Sequence, residues 1–186
     1  MSAAGKHALV TGGGRGIGLG IARLLAQEGA RVSIVSRSPT SVTLSLSKGD
    51  IGHQFFRAQA DVSDETQVHR ALAACRDANG PIEILVNNSG IAESAPLART
   101  DLAMWNRIIA TNLTGTFLCT REAVSDMIAA GWGRVVNIAS TAGLGGAPYI
   151  SAYCASKHGV VGFTRAIAAE LASDGVTVNA ICPGYT

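Results

Sequence analysis

Between an apolar run, His7 to Thr11, and a helical pattern, Ile17 to Glu28, the chain carries T-G-G-G-R-G-I-G at Thr11 to Gly18. A buried strand, a glycine turn and a helix with Ile21, Leu24 and Leu25 on one face, stopped by Gly29, form the first half of a βαβ unit. Further strands are expected at Val32–Ser36, Phe55–Ala60, Ile84–Asn87, Arg134–Ile138 and Val176–Cys182. Helical patterns fill most gaps, at Glu65–Ala78, Leu102–Ala130 with an irregularity near Asn112, and Ala152–Ala172. Strands alternating with helices predict an α/β fold, a doubly wound parallel sheet flanked by helices. Ser36 to Ser47 departs from the alternation: hydroxyl side chains recur without an apolar face and Pro39 interrupts, which predicts a surface loop.

With 186 residues, 47% of them hydrophobic, the chain buries a substantial core yet is short for two domains, so residues 1–186 are expected to form one soluble unit. A formal charge of +2 without a dense Lys/Arg run offers no electrostatic footprint for nucleic acid or an anionic membrane. Cys75, Cys119, Cys154 and Cys182 are scattered and lack C-x-x-C spacing, which argues against a disulfide framework or a structural metal. Reduced thiols, and no apolar run of the ~18 residues a bilayer span needs, predict a cytoplasmic protein.

A glycine turn between strand and helix lets the backbone approach a pyrophosphate at the helix N-terminus. Gly12, Gly16 and Gly18 are the glycines suited to that work, with Arg15 and Ile17 between them. A tight strand-to-helix turn explains the same pattern taken alone, but no G-K-[ST] ending is present, which argues against an ATP or GTP loop. NAD sites place Asp or Glu about 20 residues further on to hold the ribose 2′-hydroxyl, whereas a basic group there suits NADP. Here Ser36 and Arg37 occupy that place, and no acidic residue occurs between Glu28 and Asp50. Arg15 and Arg37 converging on a 2′-phosphate would favour NADP(H) over NAD(H). The alternative is that Arg15 is merely solvated and Arg37 pairs elsewhere on the surface.

Tyr153 and Lys157 stand four residues apart in Y-C-A-S-K, with Ser140 upstream in N-I-A-S-T-A-G. Residues i and i+4 share a helix face, so the ammonium can sit near the phenol and favour its ionised form. His158 projects away from that face, and Cys154 has no His/Asp relay nearby, so neither is expected to act as base or nucleophile. Trp105 and Trp132 are read as packing residues.

Together with A-D-V at Ala60 to Val62, N-N-S-G at Asn87 to Gly90, Asn112 in T-N-L-T-G and P-G at Pro183 to Gly184, these motifs resemble the short-chain dehydrogenase/reductase family, classical subgroup, along essentially the whole chain. The resemblance implies a Rossmann fold with the cofactor across the carboxyl ends of the strands. Asp61 and Val62 would flank the adenine, Asn88 and Gly90 would line the adenosine ribose side, and Pro183 and Gly184 would lead to Thr186 at the nicotinamide carboxamide. Asp61 has a second explanation as a helix cap, and Asn87 to Gly90 as a post-strand turn. Ser89 replaces the alanine usual in the family.

By the same resemblance, Tyr153 would protonate the carbonyl oxygen in reduction and take the hydroxyl proton in oxidation. Its ordinary pKa of ~10 is too high for base catalysis near neutrality, and Lys157 would lower it besides holding the nicotinamide ribose. Ser140 would donate to the substrate oxygen, and Asn112 would hold a water linking Lys157 to solvent. The stretches S-K-H-G-V-V-G-F-T-R-A and N-A-I-C-P-G-Y-T are similar to 3-oxoacyl thioester reductases and polyketide ketoreductases. A small carbonyl or alcohol substrate follows, with a homodimer or homotetramer built on the Asn112 helix and the helix after Tyr153. An NAD(H)-dependent hydroxyacyl or secondary-alcohol dehydrogenase, and a non-catalytic cofactor-sensing domain, are the alternatives. Relatives continue past Thr186 through a substrate-covering loop, a helix and a seventh strand, so the expected sheet is truncated and lacks the substrate segment.

Overall fold

The computed structural model describes residues 2–38 and 55–184. The distal part of the Ser36 to Ser47 stretch, and Thr186, lie outside the described residues. The elements are β1 (His7–Thr11), α1 (Gly16–Gln27), β2 (Arg31–Ser36), β3 (Phe56–Gln59), α2 (Glu65–Asn79), β4 (Ile84–Asn87), α3 (Leu102–Ile109), α4 (Gly115–Ala129), β5 (Gly133–Ile138), α5 (Ser151–Glu170) and β6 (Val176–Ile181). The strands form one parallel sheet in the order β3-β2-β1-β4-β5-β6. This is the doubly wound arrangement, with the order reversing between β1 and β4.

All five residues of β1 and all four of β4 are buried, because helices cover both faces of the sheet. Successive side chains point to opposite faces. Leu9, Val35, Leu85 and Val135 meet α2 and α4 through Val68, Leu72, Leu118 and Met127. Ala8, Val10, Ile34 and Val86 meet α1 through Ala22 and Ala26 on the other face. Asp64 and Asp101 cap α2 and α3 by accepting the N–H groups of Gln67 and Met104.

The long helix expected at Leu102–Ala130 is divided: a π-helical turn, Ala110–Thr114, separates α3 from α4. Asn112 lies at its centre, where the irregularity was expected.

An ionic knot fastens α2 to α4. Arg76 donates through Nε to Asp126 Oδ2 at 2.8 Å and through Nη1 to Glu122 Oε1 at 2.9 Å, and the Ile82 N–H reaches the same Asp126 oxygen at 3.0 Å. These side chains are less than a quarter exposed, so the bonds are only partly screened. Asp126→Ala strands both a half-buried guanidinium and a backbone N–H. It is expected to lower unfolding free energy by about 1–3 kcal/mol, read from the urea midpoint at unchanged m-value; an unaltered midpoint would show that the knot contributes nothing.

Candidate active site

The site is assembled at the carboxyl ends of the strands, where the order reverses. Thr11, last in β1, accepts at Oγ1 the N–H groups of Asn88 and Ser89, each at 3.0 Å. Asn88 returns two bonds from Nδ2, to the carbonyls of Thr11 at 3.0 Å and Gly12 at 3.2 Å. This clip fixes the glycine loop against the segment after β4. Gly12 and Gly16 have φ of +64° and +53°, a region costly for other residues. A Cβ on Gly18 would stand 2.4 Å from Asn88 Nδ2 and 2.6 Å from the Gly12 carbonyl oxygen, so only glycine allows the helix to start this close.

Unlike α2 and α3, α1 begins at Arg15 without a side-chain cap and without an acidic residue in its first turn. Its leading N–H groups and the helix dipole are therefore available to an anion. Beside them lies a cavity of about 410 Å³, bounded by Arg15, Ile17, Arg37, Asp61, Asn88 and Gly90. Gly12, Gly16, Ser36 and Val62 also line it. An uncapped helix start, a glycine cradle and a cleft of this size fit a dinucleotide with its pyrophosphate at α1.

Arg37 extends from the end of β2 with Nη1 3.9 Å from Asp61 Oδ2. Asp61 does not cap α2, which is the work of Asp64. Its Oδ1 instead accepts Ser63 N at 2.9 Å and Ser63 Oγ at 2.6 Å, a local turn that holds the carboxylate at the cavity rim.

Beyond Gly90 the expected reactive residues converge. Lys157, only 5% exposed, donates from Nζ to the Ile138 carbonyl at 2.7 Å and lies 5.7 Å from the centroid of the Tyr153 ring. Its Nζ is 3.6 Å from where a Cβ on Gly90 would stand, which joins this cluster to the end of the cavity, although Tyr153, Lys157 and Ser140 do not line it. Burial pulls the Lys157 ammonium down from an ordinary 10.5 to about 8, weakly opposed by Cys182. Ser140 Oγ accepts the Ala142 N–H at 3.1 Å, which leaves its own hydrogen to donate. Gly143 packs the turn after Ser140 onto α5: a Cβ there would lie 2.7 Å from the Lys157 carbonyl oxygen. The Pro183 carbonyl accepts the Thr141 N–H at 2.9 Å, placing the P-G segment behind Ser140.

The Asn112 side-chain amide is committed to protein partners. Oδ1 accepts the Ile91 N–H at 2.8 Å, while Nδ2 donates to the Ile91 carbonyl at 2.9 Å and to Ser156 Oγ at 3.0 Å. Ser156 in turn donates to the Tyr153 carbonyl at 2.7 Å. The Asn112 backbone oxygen accepts Thr116 Oγ1 at 2.8 Å and keeps a second lone pair. Ser156 is thus a positioning residue that the motif Y-C-A-S-K contained but whose partner across the fold was not visible in it. His158 is exposed and its Nδ1 faces the Cys154 carbonyl at 2.9 Å, away from Tyr153.

A fold of order 3-2-1-4-5-6 with this cleft is of the dinucleotide-binding class, and comparison with known proteins fixes the family. The short chain dehydrogenase family matches residues 6–186, and the chain belongs to it. It is 41% identical over 187 residues to D-beta-hydroxybutyrate dehydrogenase of Rhizobium meliloti (strain 1021), covering 97% of this chain and 71% of that protein. Against a putative ketoacyl reductase of Streptomyces coelicolor the identity is 41% over 181 residues, covering 96% of this chain and 69% of the other. A crystallised variant of actinorhodin polyketide ketoreductase with NADPH superposes with a TM-score of 0.93 at 41% identity, over 97% of this chain and 70% of that one. The chain is accordingly an NAD(P)-dependent oxidoreductase acting between a ketone and an alcohol. No helix among the described residues is long and apolar enough to cross a membrane.

The burial of Lys157 has a measurable sign. The folded chain releases its proton at about 8 and the unfolded chain near 10.5, so the charged group opposes folding below 8 and ceases to do so above 10.5. Lys157→Met should therefore be more stable than the parent at pH 7, by up to about 3 kcal/mol. That advantage should shrink as pH rises through 8 to 10. Urea unfolding of both proteins across this range checks it, and a constant difference would sink the assignment.

Proposed function

We propose that the protein is an NADP(H)-dependent carbonyl reductase in which Tyr153, Lys157 and Ser140 perform the proton chemistry. The observation that carries this is the buried Lys157 ammonium beside the Tyr153 ring, at the end of the dinucleotide cleft. A bound nicotinamide supplies or accepts the hydride at the carbonyl carbon. Tyr153, half-buried and with its hydroxyl unengaged among the described residues, delivers the proton to the carbonyl oxygen and recovers it in the reverse direction. Lys157 holds a positive charge near the phenol, favouring the phenolate that remains after protonation. Ser140 donates its free hydrogen to the same oxygen as negative charge builds there. Asn112 clamps Ile91 and, through Ser156, the turn bearing Tyr153, so it positions rather than reacts.

The substrate class best supported is a 3-oxoacyl thioester or a similar ketone, on the similarity to ketoacyl and polyketide ketoreductases. Similarity to a hydroxybutyrate dehydrogenase favours, as a second candidate, an NAD(H)-dependent hydroxyacyl dehydrogenase. Preference for NADP(H) rests on Arg15, Ser36 and Arg37 at the cavity and on the absence of an acidic residue at the end of β2. A homodimer or homotetramer is supported by the exposed Phe117 and Ile128 on α4, with Phe117 edge-on to Phe163 of α5.

Turnover of the full-length chain on a panel of ketones and acyl thioesters tests the chemistry. Tyr153→Phe should lose at least about 10³-fold in kcat, within the range for removing an essential acid, while cofactor affinity changes less than severalfold. Substantial turnover by this variant would exclude Tyr153 as the proton donor, and no turnover by the parent on any panel member would favour a cofactor-sensing role. Replacing Arg15 and Arg37 together by alanine should weaken NADPH binding by about 10-fold or more through two lost phosphate contacts, with NADH nearly unaffected. Equal losses for both cofactors would favour the NAD(H) alternative.

A further inference from the structure

The cation expected to choose the cofactor is not alone at the rim of the cavity. Arg37 Nη1 and Asp61 Oδ2 approach to 3.9 Å, and both residues line the cleft. Each is fixed from behind. Gln59 Nε2 donates to the Arg37 carbonyl at 2.9 Å, and Gln67 Oε1 accepts the Asp61 N–H at 3.0 Å. Two bonds from Ser63 to Oδ1 lock the carboxylate so that Oδ2 faces the guanidinium. The arrangement is a held anion beside a more mobile cation, whose side chains are 33% and 59% exposed.

We propose that Asp61 is a specificity-determining residue for the cofactor, its carboxylate countering Arg37 and so moderating the preference for a 2′-phosphate. The inference rests on the NADP(H) preference proposed above. A 2′-phosphate carries about −1.5 to −2 charges, and it must draw Arg37 away from a carboxylate with the same sign of charge as its own. The 3.9 Å between Arg37 and Asp61 lies inside the Debye length of about 8 Å at physiological salt, so the carboxylate's hold on the guanidinium is only partly screened. NAD(H), with a neutral ribose hydroxyl there, does not enter it. Any contact between Asp61 and the adenine is common to both cofactors and cancels in the ratio of their affinities.

Equilibrium titration of cofactor fluorescence reads that ratio without turnover. Asp61→Asn keeps an oxygen for Ser63 and removes the charge. The ratio of the NADH to the NADPH dissociation constant should rise about 3- to 10-fold, as expected for one charge at a partly solvated site. The rise should diminish in high salt. Ser63→Ala, which removes the hydroxyl bond to the carboxylate and keeps the backbone one, should move the ratio the same way but less. In an Arg37→Ala background, Asp61→Asn should raise the ratio clearly less than it does in the parent, because the carboxylate acts chiefly through Arg37.

A ratio that stays level or falls in Asp61→Asn, while Arg37→Ala alone lowers it, overturns the role of Asp61 and leaves the NADP(H) preference standing. If the parent binds NADPH no more tightly than NADH, the preference itself fails; if it does bind NADPH more tightly but Arg37→Ala leaves the ratio level, the preference stands on other groups and the role of Asp61 fails.

Discussion

The hydroxyl of Thr11 holds together the two segments between which everything else is arranged. β1 and β4 are neighbours in the sheet, but the chain leaves them toward opposite faces, which is what opens a crevice at this point of an α/β sheet. Two N–H groups after β4 converge on Thr11 Oγ1, and Asn88 closes the loop from the other side by bonding to the carbonyls of Thr11 and Gly12. With these groups satisfied by one another, the glycine loop needs no further support and can leave the first N–H groups of α1 unpaired. A cap on α1 would satisfy those groups and remove the anion site. The missing cap suits a helix start that opens on the cleft, whereas α2 and α3 are both capped by aspartate.

At the other end of the cleft the governing term is desolvation. An ammonium inside the fold is costly, and Lys157 recovers part of that cost through the Ile138 carbonyl, the last residue of β5. The group is left with donors to spare and a weakened hold on its proton, two properties useful beside a phenol that must change charge. Packing without side-chain volume keeps the approach close. Gly90 leaves room for Asn112 and Lys157 to come near the same point, and Gly143 brings the Ser140 turn down onto the backbone of α5.

Much of the fold was legible because its signals are local. β1 and β4 begin and end as expected, β2 and β5 start one residue earlier, and the helix around Asn112 breaks at the expected place. Apolar runs and glycine turns report on a strand and its immediate exits, and little else is needed to place them. The roles that were not legible depend on partners far along the chain. The side-chain amide of Asn112 bonds to Ile91, 21 residues away, and to Ser156, 44 residues away, and no local spacing announces either partner. Asp61 was open to two explanations because D-V-S-D-E, Asp61 to Glu65, offers two aspartates before a helix; the cap falls to Asp64, which stands directly before α2, and Asp61 faces Arg37. Nothing in the spacing of Arg37 and Asp61 reveals that β2 and β3 end side by side.

The short run from Asn88 to Ile91 joins the two ends of the site. At one end Asn88 is clipped to Thr11 and Gly12; three residues later the backbone of Ile91 is gripped on both its N–H and its carbonyl by Asn112. Asn112 then reaches Tyr153 through Ser156, so a continuous set of bonds runs from the glycine loop to the backbone of the candidate acid. A π-helical turn at Ala110–Thr114 is the feature that makes this reach possible, since it swings one amide out of register with the rest of the helix. Directly after this turn Gly115, first in α4, packs against Val62 at the cavity, where a Cβ would come within 2.7 Å of a valine methyl. Anything that shifts the glycine loop must therefore strain bonds that also set the height of Tyr153, so the place where a dinucleotide is held and the place where a proton moves are mechanically one unit.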